Sequence, residues 1–170
     1  IALLKQGKAD IGLLSDSQYD FPARFTPLLW DESVLIVPRV HHPLNARRTI
    51  SLREVARYPL IMVPEGVLLR QTYNEAFRRV GVQPRPEHEP LGIQAMVALV
   101  EAGFGVALVP RLTLARTLIS GLHVVGLKEK VGRTIGMVIP ADRAQSPATK
   151  AFGTFVARNA AAFATQANTG

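Results

Sequence analysis

Short apolar runs of strand length alternate along this chain with helix-length amphipathic stretches, and that alternation restricts the fold more than any other feature. Residues 60–63 form an apolar run that Pro64-Glu65-Gly66 closes. A helical pattern follows at once. Leu69, Tyr73, Ala76, Phe77 and Val80 fall on one stripe, with Arg70, Asn74, Glu75 and Arg78 outside it, and Gly81 supplies a left-handed stop. Residues 87–90 then read as extended, and 93–102 as a helix apolar nearly all round, expected to pack on two sides. Gly103-Phe104-Gly105 turns the chain into a strand at 106–109. Earlier, residues 10–14, 25–29 and 33–37 read as strands; later, 122–127 and 134–139 do. Ser51 and Glu54 make a capping box, with Ile50 and Val55 placed as a hydrophobic staple. A last helix starts at Ser146-Pro147, its stripe being Ala148, Phe152, Phe155, Val156 and Phe163. Strand–helix–strand succession of this kind predicts an α/β fold.

The 170 residues are 48% hydrophobic and 19% charged, the balance of a folded chain with a sizeable core. No apolar run approaches the ~18 residues that cross a bilayer. The absence of cysteine excludes a disulfide framework and Cys-based zinc sites. The chain opens on Ile1 with no charged-then-apolar leader, the look of a fragment or a processed product. A net charge of +7 invites a nucleic-acid reading, but the excess is dispersed. Residues 1–50 and 51–100 each carry six Lys/Arg against five Asp/Glu; 101–170 carry eight against three, with few aromatics between them. A surface that tracks phosphates shows clustering and exposed stacking rings, so this segment reads as solvated surface.

Chemistry-bearing motifs are scarce. His41, His42, His88 and His123 lack zinc or metalloprotease spacing, and His41-His42 reads as part of an exposed proline turn. No Gly-rich phosphate loop, nucleophile elbow or cysteine nucleophile occurs. Glu87 and Glu89 share one face of an extended segment, which does not make a converging acid/base pair, and they read as solvated charges. No enzyme, metal or cofactor is expected. A binding architecture remains, because ligands of α/β folds sit where strands end and helices begin. Pro64 to Arg70 and Gly92-Ile93-Gln94 are two such places, and the cation Arg70 favours an anion at the first.

Taken in order, several segments resemble the effector-binding domain of LysR-type transcriptional regulators. The family's L-x-x-G-x-x-D-I-G-L is matched by Leu4-Lys5-Gln6-Gly7-Lys8-Ala9-Asp10-Ile11-Gly12-Leu13. Its valine–proline and H-P-L correspond to Val37-Pro38 and His42-Pro43-Leu44, and its I-S-L-x-E-x-A helix to 50–56. Pro59-Leu60-Ile61 matches the P-L-I strand, 100–110 the V-x-A-G-x-G-V-A-L-x-P segment, and 146–152 the closing S-P-A-x-x-A-F.

The resemblance implies a type II periplasmic-binding-protein-like fold: two α/β lobes with a cleft and two crossover segments. Lobe I is expected at 1–45 and 138–170, without its first strand and helix, and lobe II at 46–137. The family's N-terminal winged helix-turn-helix DNA-binding domain is absent from this chain. Carried over by position, the effector-binding candidates are Leu14 and Ser15, placed after the strand 10–14, then Pro64, Glu65 and Gly66, then Gly92, Ile93 and Gln94. Val109 and Pro110 frame the floor. Implied partners are a small-molecule effector, an organic acid being the family's commonest, and promoter DNA reached only through the absent domain. A homodimer or homotetramer in the cytoplasm, with no membrane contact, is also implied. The alternative is a transporter-associated solute-binding protein of the same fold.

Overall fold

The computed structural model describes residues 1–16, 19–114 and 120–166. The chain divides into two compact units, Ile1–Asp31 with Arg133–Gly170, and Glu32–Gly132. Both divisions fall inside strands, at 31/32 and 132/133, instead of at the expected 45/46 and 137/138. The reason lies in the apolar run Val34–Val37. Its residues are 0–1% exposed and sit in the core of the second unit, so the chain has already crossed before the turn at His41.

In the first unit, a short helix α1 (Ala2–Lys5) leads to β1 (Gly12–Ser15), which pairs antiparallel with β8 (Gly132–Pro140), Gly12 opposite Val138 and Ser15 opposite Ile135. Strand β8 lies between β1 and β2 (Ala23–Pro38). The sequence suggests two strands at 25–29 and 33–37; the structure has one. Asp31, in the gap between those two runs, is buried and bonded to Arg133, whose Nε and Nη2 each donate to Oδ2 at 3.2 Å. Pro27 is accommodated because this half of β2 is the outer strand of its unit's sheet.

Helix α6 (Pro147–Gln166) starts where expected, the Ser146 hydroxyl accepting the Thr149 N–H at 3.1 Å. Its buried face is Thr149, Gly153, Val156 and Ala160, while Phe152 and Phe155 are more than half exposed. The stripe read from the large apolar residues is therefore corrected: Ala148 is also exposed, and the Phe163 side chain lies outside the described residues. Small residues win this face because the helix comes close to β8. A Cβ on Gly153 would lie 3.3 Å from the Met137 sulfur.

In the second unit, the Ser33–Pro38 half of β2 is antiparallel to β6 (Val106–Pro110) on one side and β7 (Leu122–Leu127) on the other. Strand β6 runs parallel to β4 (Leu60–Ile61), and β4 to β5 (Pro86–His88); β3 (Thr49–Ile50) runs parallel to β7. Parallel neighbours need crossover helices, and α3 (Leu68–Arg79) and α4 (Ile93–Glu101) supply them. Leu69, Tyr73 and Phe77 of α3 enter the core as their spacing predicts. Helix α4 buries Met96, Val97 and Val100 but leaves Gln94, Ala98 and Glu101 exposed, so it packs on one side and not two. Helix α2 (Leu52–Val55) carries the full capping box: Ser51 Oγ accepts the Glu54 N–H, and the Glu54 carboxylate accepts the Ser51 N–H at 3.2 Å. Helix α5 (Arg111–Leu114) follows β6 directly.

Candidate functional site

After β4, Met62 and Val63 stay buried, and the Met62 N–H donates to the His88 carbonyl at 3.1 Å, which ties this strand end to the end of β5. The chain then turns outward through Pro64, Glu65 and Gly66. Gly66 has φ +86 and faces open space, so the turn is a place for glycine on backbone grounds and not for want of room. Val67 is the N-cap of α3 and makes no side-chain cap bond; Gly92, φ +88, is the N-cap of α4 and makes none either. Two helix starts thus present amide N–H groups that no side chain covers, the feature that lets a helix start receive acceptor groups of a ligand.

Of the ten candidate residues, Glu65, Gly66, Gly92 and Gln94 are exposed, Pro64 and Ile93 half-buried. Val109 and Pro110 are buried in β6 opposite Val34 and Ser33, where they support the sheet. In the first unit, Leu14 and Ser15 lie within β1, opposite Gly136 and Ile135, and not after the strand. The Ser15 carbonyl accepts the Tyr19 hydroxyl at 2.8 Å, and the Asp16 N–H donates to Thr134, which fixes the exit of that strand.

Arg70 is the residue that sequence reasoning misplaced. Assigned outside the apolar stripe of α3, it is 4% exposed. Its Nη1 donates to the Val63 carbonyl at 2.7 Å and to Glu89 Oε1 at 2.6 Å. Its Nη2 lies 2.9 Å from Glu65 Oε1, and its Nε donates to Asn74 Oδ1 at 3.0 Å. Asn74 Nδ2 in turn donates to Glu65 at 3.2 Å. A guanidinium can be buried because its planar fork serves several acceptors at once. The expected anion attraction is thereby cancelled, since one cation here faces two carboxylates. Glu89, read as solvated, is one of them; only Glu87 is left as a plain exposed charge. The legible signal was spacing: position 70 precedes the core positions 73 and 77 by three and seven residues. A cavity of about 470 Å³ opens between α3 and the turn at 81–84, with Glu65, Arg70, Asn74 and Arg78 on its polar wall; among the candidates, only Glu65 borders it.

Among the described residues, no three His, Asp or Glu side chains are grouped to hold an ion. His41 is exposed at φ +56. His42 is half-buried rather than simply exposed: its Nδ1 accepts the Leu44 N–H at 3.3 Å, and burial pushes its pKa below the usual histidine value.

Comparison with known proteins now decides the family. The model of the LysR substrate binding domain matches residues 1–161. The chain belongs to that family. Among curated LysR-type relatives, it is 27% identical over 157 residues to the transcriptional dual regulator GltC of Bacillus subtilis, covering 92% of this chain and 52% of that protein. It is 37% identical over 110 residues to the regulator cbl of Klebsiella aerogenes, covering 64% of this chain and 34% of that one. The chain spans about half the length, or less, of the curated relatives it matches. The effector-binding domain of QuiR in complex with shikimate superposes with TM-score 0.80 at 27% identity, over 95% of this chain and 76% of that one. Corynebacterium glutamicum OxyR, at 20% identity, shares the fold with TM-score 0.84 over 98% of this chain and 53% of that one. The α/β, type II periplasmic-binding-protein-like class is therefore that of LysR effector-binding domains. These relatives are transcription regulators, which favours that reading over the transporter-associated one. Among the described residues, no helix is long and apolar enough to cross a membrane.

Proposed function

We propose that this chain is the non-enzymatic, effector-sensing part of a cytoplasmic LysR-type regulator that works as a homodimer or homotetramer. Promoter DNA is contacted by a winged helix-turn-helix domain of the intact protein, and not by the dispersed cations of this chain. The effector is a small organic acid. LysR-type domain structures similar to this one are described with shikimate, with benzoate and with 2-PG.

The observation that supports this reading is the pair of exposed turns in the second unit, each leading into a helix whose first amides no side chain caps. Amide groups of Gly92, Ile93 and Gln94, with the Gln94 side chain, receive the acid's oxygens. Glu65 accepts a ligand hydroxyl or amine, and Pro64 and Gly66 shape that turn. Val109 and Pro110 hold β6 behind these turns of the second unit.

The test has two parts. The full-length gene product should retard the DNA upstream of its own gene in a gel shift, and a panel of small carboxylates that includes shikimate and benzoate should contain one that alters the retardation. Gln94→Ala should then weaken the response about tenfold or more, the ~1.5–3 kcal/mol of a hydrogen bond to a charged group. Absence of specific retardation, or an unchanged response in the variant, refutes respectively the regulator reading and the placement of the site.

A further inference from the structure

The two turns of the candidate site come from separate stretches of chain, yet one buried side chain touches the first and the segment that leads into the second. Arg70 reaches the strand end through the Val63 carbonyl, the first turn through Glu65, and the approach to the second turn through Glu89, three residues before Gly92. Its own helix is fixed through Asn74, which also holds Glu65. We infer that Arg70 is the positioning residue of this half of the site, making the turns at 64–66 and 89–94 a single mechanical unit. The inference rests on the effector-site reading for its purpose, but not for its geometry.

Three features carry it. The guanidinium is buried while the carboxylates are not: the Glu65 and Glu89 side chains are 65% and 41% exposed against 5% for Arg70. The anchor is therefore inside and the held groups are at the surface, where a ligand meets them. All three of the guanidinium's nitrogens are engaged, in different directions, so no single turn can shift without loosening the fork that holds the other. A lysine carries the same charge but cannot serve these directions together. An effector that draws Glu65 to itself thus removes one of the acceptors that fix the guanidinium, so that contact with the first turn reaches the segment at Glu89 through the same side chain.

Hydrogen exchange read by mass spectrometry on the full-length, ligand-free protein tests this directly. Glu89→Gln alters one partly exposed group on the second segment; the inference expects the hydrogen-bonded amides of Val67 and Arg70, which donate to the Pro64 and Val67 carbonyls, to exchange about tenfold faster, and Glu65→Gln to do the same to the Met96 amide, which donates to the Gly92 carbonyl. Arg70→Lys should accelerate both turns, with the amides of β6 unchanged. A residue of merely structural value would give an effect confined to the substituted segment, or one spread evenly over the unit. Either pattern overturns the inference, as does Arg70→Lys exchanging like the wild type. Glu89→Gln and Glu65→Gln keep the test decisive should Arg70→Lys fail to fold. Because no ligand is present, an empty carboxylate panel would refute the effector reading and leave this result standing.

Discussion

Gly105→Ala puts a methyl group against a backbone atom that cannot step aside. A Cβ built on Gly105 lies 2.4 Å from the Pro59 carbonyl oxygen, at φ +153. That oxygen accepts the Val106 N–H at 2.9 Å, the bond that brings the beginning of β6 alongside β4. Relief requires the carbonyl to retreat, which loses the bond, about 1 kcal/mol, and strains the backbone by about 1–3 kcal/mol more. The expected loss is about 2–4 kcal/mol, or a fall in melting temperature of about 5–15 °C for a chain of this size. Gly103→Ala is the control. Gly103 has φ +82 with nothing within 4 Å of its built Cβ, so it suffers only the left-handed backbone cost of about 1–2 kcal/mol. Urea unfolding of both variants followed by circular dichroism measures the difference. Equal losses, or a Gly105→Ala protein within about 0.5 kcal/mol of wild type, would refute the argument from close approach.

Other expectations follow from single contacts. Ser51→Ala removes the cap of α2 and should cost about 1 kcal/mol in urea unfolding at neutral pH. The Ser51 hydroxyl also donates to Glu54 Oε2 and is the chief cause holding that carboxyl below its usual range, so this part of the cap is present at neutral pH and is lost as pH falls below the ordinary glutamate range; a Ser51→Ala loss with no pH-dependent part would contradict it. For His42 the sign is opposite in origin but similar in outcome. Burial favours the neutral ring in the folded chain, so the unfolded chain binds the proton first and stability falls as pH drops below about 6.5. His42→Asn should flatten that part of the pH–stability profile, and parallel profiles would rule the effect out. Gly136→Ala would drive a Cβ to 2.3 Å from the Phe25 ring; the loss should be about 1–3 kcal/mol, and Phe25→Ala should make it less than additive in a double-mutant cycle.

Local rules served well where the cause was local. The box at Ser51 and Glu54 and the stripe Leu69, Tyr73 and Phe77 are written in spacings of three and four residues, and both appear in the structure. Burial that depends on a distant partner was not legible. The two strands read at 25–29 and 33–37 become one only once Arg133 is beside the buried Asp31, and Arg70 reads as lying outside the apolar stripe until two carboxylates from other segments converge on it. The face of α6 is set by fit and not by size: against β8 the helix needs small residues, and Phe152 and Phe155 turn outward. The turns at 64–66 and 92–94 were found from Gly, Pro and position. That Val109 is wholly enclosed follows only from the strands on either side of β6, which no reading of residues 106–110 alone contains.

The interleaving of the two units also sets an order of events during synthesis. Glu32–Gly132 is one unbroken stretch, so every strand of its sheet has left the ribosome once β7 is complete. The residues made before it are in the reverse position. Among the described residues, strand β1 pairs with β8, whose Met137 and Val138 are translated more than a hundred residues after Gly12 and Leu13. Domains usually fold in the order they emerge. Here β1 has to wait for β8 until the whole of the second unit has been made between them.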